Sequence, residues 1–115
     1  MALTEIELKR CEKALAAFMK RRRPPVRLRD QLDICYRISG QSIDIFESRP
    51  DWRDRSKKSE TPVARLTFVR TRNNWKLFWM RRDLKWHAYN SDIEANTLEA
   101  FLKVVDEDAF ACFFG

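Results

Sequence analysis

Glycine is scarce in this sequence: Gly40 and Gly115 are the only two among 115 residues. Phosphate-binding loops and dinucleotide-binding fingerprints need several glycines ahead of a helix, because the backbone must approach the phosphate closely. The scarcity therefore excludes those nucleotide-binding classes, and with them a flexible glycine lid. No segment approaches the ~18 to 20 consecutive apolar residues of a membrane-spanning helix. We expect no membrane partner.

Histidine and cysteine are also sparse. His87 is the only histidine, so a two-histidine metal site within one chain is impossible, and no nucleophile-elbow motif accompanies it. Cysteine occurs at three distant positions: Cys11, Cys35 and Cys112. Without a Cys-x-x-Cys pair, they predict neither a disulfide framework nor a zinc site. We expect no metal and no cofactor. The first residues lack the basic and apolar regions of a signal peptide, which favours a cytoplasmic protein with reduced thiols.

What is abundant is apolar and charged material, at 44% and 35% of the residues. This composition predicts one folded domain over residues 1–115. The net charge of +6 is uneven: residues 1–85 carry 22 Lys or Arg against 11 Asp or Glu, whereas residues 86–115 carry one against six. A basic body attracts polyanions. It can equally hold the acidic C-terminal part, and charge alone does not separate these readings.

Two segments have the periodicity of amphipathic helices. In the first, Thr4 and Glu7 form a capping-box signature, and Pro24-Pro25 cannot continue the helix. Its apolar side is formed by Leu8, Cys11, Ala14, Leu15, Phe18 and Met19. The second helix is capped by Asn96 or Thr97, and its apolar side is formed by Leu98, Phe101, Leu102 and Val105. Acids 106–108 oppose the helix dipole, so we expect this helix to end by Asp106. The apolar residues 109–115 should dock into the fold.

Between the helices, apolar and polar residues alternate with a period of two. Strand 32–38 meets the next strand at Gly40-Gln41, which suits a two-residue type II′ turn. The predicted pairs are Ile38 with Ile43, Tyr36 with Ile45, Arg37 with Asp44 and Cys35 with Phe46. Residues 48–62 have no period and are expected to form one long solvated loop. Strands then follow over 63–72 and 75–82 with an Asn73-Asn74 type I′ turn, and a last strand starts at Trp86 after a short turn at Asp83-Leu84.

The predicted fold is therefore an α+β domain: a five-stranded antiparallel meander with the N-terminal and C-terminal helices packed on one face. The face expected under the helices carries Ile34, Tyr36, Ile45, Phe68 and Trp79. The second face, with Val69, Phe78 and Met80, should not be fully solvated, because a monomer seldom exposes such an apolar patch. The relation of the last two strands across Asp83-Leu84 stays open, since Leu is poorly suited to positive φ.

Residues 75–89 and the ending formed by 105–108 with 112–115 resemble an uncharacterised family of small bacterial proteins, known as domain-of-unknown-function family three thousand and twenty-four. The resemblance is clearest from Val63 to Gly115. It implies a bacterial, cytosolic protein and implies no activity.

The candidate binding residues lie at one predicted hairpin tip and in the long loop: Arg81, Arg82, Lys85, Trp86 and His87 at the tip, with Arg53 and Arg55 in the loop around Trp52. Guanidinium groups suit phosphates, and a tryptophan such as Trp86 can stack on a base. In the alternative interpretation, Asp83 organises the turn and Trp86 enters the core. A further basic run follows the first helix and covers residues 20–23 with Arg27 and Arg29.

Three classes of function remain open. The first is a non-catalytic module whose basic, aromatic-bearing surface binds a polyanion such as nucleic acid. The second is an interaction domain that binds another protein or forms a homodimer through an uncovered sheet face. The third is a small enzyme without a sequence signature, using His87, Asp83 or Cys112; we favour a non-enzyme.

Overall fold

The computed structural model of the protein describes residues 2–89 and 97–107. It contains helices α1 (Glu5–Arg22) and α2 (Leu98–Glu107) and strands β1 (Asp33–Ser39), β2 (Ser42–Pro50), β3 (Lys58–Val69), β4 (Asn74–Met80) and β5 (Trp86–Ala88). The strands form one antiparallel sheet in the order β1-β2-β3-β4-β5. This confirms the predicted five-stranded meander with a helix at each end of the chain. Asn96 and the apolar residues 109–115 lie outside the described residues.

Helix α1 begins as its sequence predicts. The Glu7 N–H donates to Thr4 Oγ1 at 3.2 Å, and the Thr4 N–H donates to Glu7 Oε1 at 2.8 Å, which completes the capping box. Arg70, after β3, also donates to the Glu7 carboxylate at 2.9 Å. Chiefly because of Arg70, the pKa of Glu7 falls from 4.5 to about 2. The sheet is thus tied to the first turn of α1.

Helix α2 is capped by Thr97, whose Oγ1 accepts a hydrogen bond from the Ala100 N–H at 3.1 Å. It extends to Glu107 rather than ending by Asp106. The Asp106 carboxylate lies 3.1 Å from Arg21 and 3.2 Å from Arg22 at the end of α1. These cations offset the repulsion between an acid and the C-terminal end of the helix dipole. They also show that α1 and α2 lie side by side with their C-terminal ends together.

The first hairpin has the predicted register, including Ile38 opposite Ile43 and Tyr36 opposite Ile45. Gly40 has a φ of 60°, whereas Gln41 is not among the described residues with positive φ. Positive φ at the first central residue alone is the pattern of a type II′ turn.

The second turn differs from its prediction. Val69 pairs with Asn74, so residues 70–73 form a four-residue connection with a short 3₁₀ turn, and only Asn73 takes positive φ, at 50°. Asn74 is already the first residue of β4. The register therefore differs by four residues from that of a two-residue turn. Because four is even, every side chain keeps its predicted face, and Leu66 lies opposite Leu77.

The third turn resolves the open question at Asp83-Leu84. Leu84 does adopt positive φ, at 62°, and the Arg81 N–H donates to the Lys85 carbonyl oxygen at 3.3 Å. Three residues, 82–84, form the loop, with Leu84 in the position that glycine usually takes. Trp86 then pairs with Met80, and His87 with Trp79.

The expectation of one long loop over residues 48–62 is wrong. Residues Ser48, Arg49 and Pro50 pair with Glu60, Ser59 and Lys58, so the loop itself covers only residues 51–57. A bulge lies where Phe46 pairs with Pro62 directly after Ile45 pairs with Ala64. Side chains 57–62 are all exposed. Strands exposed on both faces have no need of an apolar period, which is why the alternation does not reveal them.

The core lies between the helices and one face of the sheet. Its fully buried large side chains are Phe18, Leu15, Ile43, Ile45, Leu66, Leu102, Val63 and Val105. Of the residues expected on this face, Ile34, Ile45 and Phe68 are buried and Trp79 packs against the core, whereas Tyr36 on the edge strand β1 is 37% exposed. No helix within residues 2–89 and 97–107 has the length and apolar character to cross a membrane.

The opposite face of the sheet, here called the open face, carries no helix within residues 2–89 and 97–107. Phe78, Met80 and Val69 are half-buried on it, and so is Trp86. Guanidinium groups lie over its aromatic rings: the Arg37 carbon is 4.8 Å from the ring centre of Phe46, and that of Arg65 is 4.7 Å from Trp86. Two ion pairs cross the face, Arg65–Asp44 at 2.7 Å and Arg37–Glu60 at 3.0 Å.

Candidate functional site

The connections of the meander bring three cation-bearing segments to one end of the sheet. Because neighbouring strands run in opposite directions, the β2–β3 and β4–β5 connections lie at the same end, and the chain enters β1 there. The segments are the link from α1 to β1 (residues 23–32), the β2–β3 arm (residues 48–60) and the β4–β5 loop (residues 81–85). We call this end of the sheet the arm end.

The arm extends beyond the body of the sheet. The β1 ladder reaches only Ser48 on β2, and the β4 ladder reaches only Arg65 on β3. The rungs Arg49–Ser59 and Pro50–Lys58 therefore have no further strand on either side within the described residues. A two-stranded arm remains, on which Arg49 and residues 57–60 are exposed.

The loop at the arm tip is held by its own aspartates. Asp51 accepts a hydrogen bond from the Arg53 N–H at 2.8 Å, and the Asp51 N–H donates to the Lys57 carbonyl oxygen at 2.9 Å. Asp54 accepts from the Ser56 hydroxyl at 2.6 Å and from the Ser56 N–H at 3.1 Å. The hydroxyl bond is the main cause of a lowered pKa of Asp54. The tip is thus a turn fixed by its own hydrogen bonds.

Trp52 occupies this tip and is 85% exposed, the most exposed large apolar side chain among the described residues. The guanidinium carbon of Arg53 lies 5.2 Å from the centre of its ring, and Arg53 Nε lies 3.9 Å from Asp51. An open depression of about 400 Å³ adjoins the ring and is lined by Gln31, Arg49, Pro50, Asp51, Trp52 and Arg55.

The link from α1 is fastened to both the sheet and the arm. Arg23 binds the Asp33 carboxylate at 2.8 Å with two nitrogens, which raises the pKa of Arg23 and lowers that of Asp33. Lys58 Nζ donates to the Asp30 carbonyl oxygen at 3.2 Å. These contacts place the link along the arm, from Asp33 opposite Ser48 at its base to Asp30 at Lys58 on its last rung.

The β4–β5 loop is organised by Asp83, as one of the two sequence interpretations expected. Asp83 Oδ2 lies 2.8 Å from His87 Nε2, and Asp83 Oδ1 accepts from the Lys85 N–H at 3.0 Å. The hydrogen bond with His87 is the main cause of a lowered pKa of Asp83. Arg81, Arg82 and Lys85 are exposed around this turn.

Many cations at the arm end have no carboxylate partner in the described part of the chain. These are Arg27, Arg29, Arg55, Lys57, Lys58, Arg81, Arg82 and Lys85. Elsewhere, Arg37 and Arg65 on the open face and Arg70 at the other end of the sheet are each paired with an acid. The arm end thus holds eight of the fourteen cations that have no carboxylate partner in the described residues; the other six are Lys9, Arg10, Lys13, Lys20, Arg72 and Lys76.

Five of the seven predicted binding residues meet there: Arg53 and Arg55 on the arm, and Arg81, Arg82 and Lys85 on the β4–β5 loop. The β3–β4 ladder ends at Arg65 opposite Phe78, and Met80, one residue before Arg81, lines the same depression as Pro62. The strand from Pro62 to Lys58 spans about 13 Å at 3.3 Å per residue.

The other two predicted residues point to different faces. Trp86 lies on the open face under Arg65 and is half-buried. His87 lies on the helix side beside Trp79, bonded to Asp83. The exposed aromatic residue of the arm end is instead Trp52, which the analysis of motifs did not select. Its signal was indirect: it is the only aromatic in a stretch with no apolar neighbours at a period of two or 3.6.

The residues of the enzyme alternative do not form a recognisable catalytic group in the described ranges. His87 and Asp83 form a hydrogen-bonded pair on an exposed turn, and Cys112 lies outside those ranges. Over residues 2–89 and 97–107, no three His, Cys, Asp or Glu side chains are grouped so that they could hold a metal ion. Burial raises the pKa of Cys11 to about 11, which opposes a reactive thiolate.

A comparison with family models matched residues 3–115 to one family, described as Domain of unknown function (DUF3024). The match covers nearly the whole chain and confirms the resemblance seen from residues 75–89 and the ending. Searches of curated proteins and of solved structures each found no match.

Proposed function

The chain belongs to the DUF3024 family, and we propose that it is a non-catalytic module whose arm end binds a polyanion, most simply nucleic acid. The observation that carries this proposal is the gathering of three cation-bearing segments at one end of the sheet, with most of their Lys and Arg residues free of carboxylate partners in the described ranges. Proteins that contact phosphates use such cations, and their affinity comes largely from releasing counterions.

The cations of the arm end are spread over a distance. The β4–β5 loop lies beside the base of the arm, and the arm tip lies about 13 Å further out at 3.3 Å per residue. Cations therefore occur at two separate places, with Arg81, Arg82 and Lys85 on the β4–β5 loop and Arg55 and Lys57 at the arm tip. A linear polyanion is long enough to contact both places through several phosphates. A single small phosphate would reach only one of them.

The test is the salt dependence of binding to a fluorescent thymidine oligonucleotide of about twelve nucleotides, within the ~4 to 16 nucleotides that single-strand sites cover. Each phosphate contact on a single strand contributes about 0.7 to the slope of log K against log salt. Changing Arg81, Arg82 and Lys85 to Ala should therefore lower that slope by about 2.

A matched control removes the same charge elsewhere. Lys9 and Lys13 on α1 and Lys76 on β4 are exposed and have no carboxylate partner among the described residues. Their replacement by Ala should leave the slope nearly unchanged. Equal flattening in both triple variants would show that net charge acts without a site. No salt-dependent binding by the wild type would mean that the proposal is wrong.

One observation favours the interaction domain as a second candidate: the open face has a cluster of half-buried apolar side chains, and no helix of the described part of the chain covers it. We propose a second copy of the chain as its occupant only if polyanion binding fails. Sedimentation velocity would then show a dimer that Phe78→Arg abolishes, and a monomer at high concentration would eliminate this candidate.

A further inference from the structure

The tip of the arm presents a tryptophan that the charge argument does not need. Placing an indole in water forfeits the large area that its burial would remove from solvent, although a single exposed apolar side chain is common in itself. Trp52 differs because the turn that carries it is fixed by hydrogen bonds that the carboxylates of Asp51 and Asp54 accept. An ordered backbone therefore holds an 85% exposed ring.

One face of the Trp52 ring is covered by a guanidinium group. The guanidinium carbon of Arg53 lies 5.2 Å from the ring centre, within cation–π distance, and Asp51 lies 3.9 Å from Arg53. With one face under a guanidinium group and 85% of the residue accessible, the opposite face of the indole is open to a planar ligand. Arg55 lines the adjoining depression with Trp52, so a guanidinium group that can donate hydrogen bonds to a phosphate lies next to the ring.

From this geometry we infer that Trp52 is a stacking platform for an unpaired base, and that the polyanion of the arm end is a single-stranded nucleic acid. The inference rests on the proposed function and adds the class of ligand. Bases in a duplex are already stacked and paired, whereas bases in a single strand are free to stack on an aromatic ring. The arm supplies both parts of such a contact: Trp52 for the base, and Arg53 and Arg55 for the flanking phosphates.

An anionic membrane is the competing ligand for exposed apolar side chains surrounded by cations. Leu84, on the β4–β5 loop, is 79% exposed among Arg81, Arg82 and Lys85. However, Trp52 and Leu84 lie on separate turns, and residues 53–61, which follow Trp52 on the arm, are all polar and exposed. Trp52 therefore has no apolar neighbour on that side of the arm, and a guanidinium group takes one face of its indole. These features favour the base.

The experiment compares three probes of equal length: a thymidine single strand, the same backbone with abasic sites, and a duplex. Wild type should bind the thymidine strand more tightly than the abasic strand. Trp52→Ala should weaken binding to the thymidine strand by about 5- to 150-fold, the range for loss of one base–aromatic stack, and leave the abasic strand unaffected. Trp52→Phe should retain part of the affinity.

Leu84→Ala is the matched control, since it removes an equally exposed apolar side chain from the other loop; it should change no oligonucleotide affinity. Thermal melting of both variants should equal that of wild type, because neither side chain is buried.

The stacking inference is overturned, while the proposed function stands, if Trp52→Ala binds the thymidine strand as tightly as wild type with the same salt dependence. Tighter binding to phosphatidylserine vesicles, weakened equally by Trp52→Ala and Leu84→Ala, would overturn it in favour of a membrane surface. Failure to bind any oligonucleotide or vesicle would overturn both.

Discussion

The positive φ of Leu84 leads to a prediction that can be worked out in energy. A non-glycine L-residue in the left-handed region costs roughly 1 to 2 kcal/mol, and asparagine tolerates that region better than leucine. Leu84 is 79% exposed, so its replacement loses little apolar burial. We therefore expect Leu84→Asn to raise the free energy of unfolding by about 1 kcal/mol, which raises Tm by about 4 °C for a chain of this size.

Scanning calorimetry and urea unfolding of the full chain would measure this gain. Leu84→Ala is the control: it removes the same exposed side chain but keeps a residue that pays the left-handed penalty, so its stability should stay within about 0.5 kcal/mol of wild type. Asn73 also has positive φ, at 50°, and allows the reverse test. Asn73→Leu should lower the free energy of unfolding by about 1 kcal/mol, because leucine tolerates the left-handed region less well than asparagine does. The reasoning fails if Leu84→Asn is no more stable than Leu84→Ala.

Two further predictions concern the helix layer. Phe18 is fully buried on α1, so Phe18→Ala should lower the free energy of unfolding by about 3 to 5 kcal/mol. Ile6 lies on the same helix but is 74% exposed, so Ile6→Ala should stay within about 0.5 kcal/mol of wild type. Similar losses in both variants would contradict the packing described. Because the pKa of Glu7 falls from 4.5 to about 2 on folding, its carboxylate stabilises the fold fully above pH 4.5, and this contribution declines below pH 4.5 and is lost as the pH falls through 2. Glu7→Gln should therefore be less stable than wild type at pH 7, with a gap that narrows steadily below pH 4.5 and closes only below pH 2. A gap that does not change with pH would rule out this linkage.

The elements that the sequence predicted well are those in which local chemistry and burial agree. Thr4 and Glu7 begin α1 as a capping box, and Gly40 supplies the positive φ of the first hairpin. The alternation around these signals then determines which side chains are buried. The Asn73-Asn74 turn was harder, because either asparagine can adopt positive φ and only the final register shows that Asn73 alone does.

The arm was missed for a physical reason. Strand alternation is visible only where one face is buried, and residues 57–62 are exposed on both faces. The candidate site shows the same limit: its five cations could be predicted, since charge is legible in the sequence. The sequence could not show which tryptophan is exposed, because Trp86 and Trp52 both have cations as sequence neighbours. Strand pairing half-buries Trp86, whereas Trp52 falls on a turn beyond the sheet.

The central claim is that the arm end is the surface that binds a polyanion, and a ¹H–¹⁵N spectrum of the full chain titrated with a thymidine oligonucleotide tests it most directly. Shift changes should concentrate in residues 23–32, 51–57 and 81–85, with the indole N–H of Trp52 among the largest. The turns at 40–41 and 70–73, at the other end of the sheet, should stay unperturbed. Changes centred on those turns or on the open face would show that the arm end is not the binding surface.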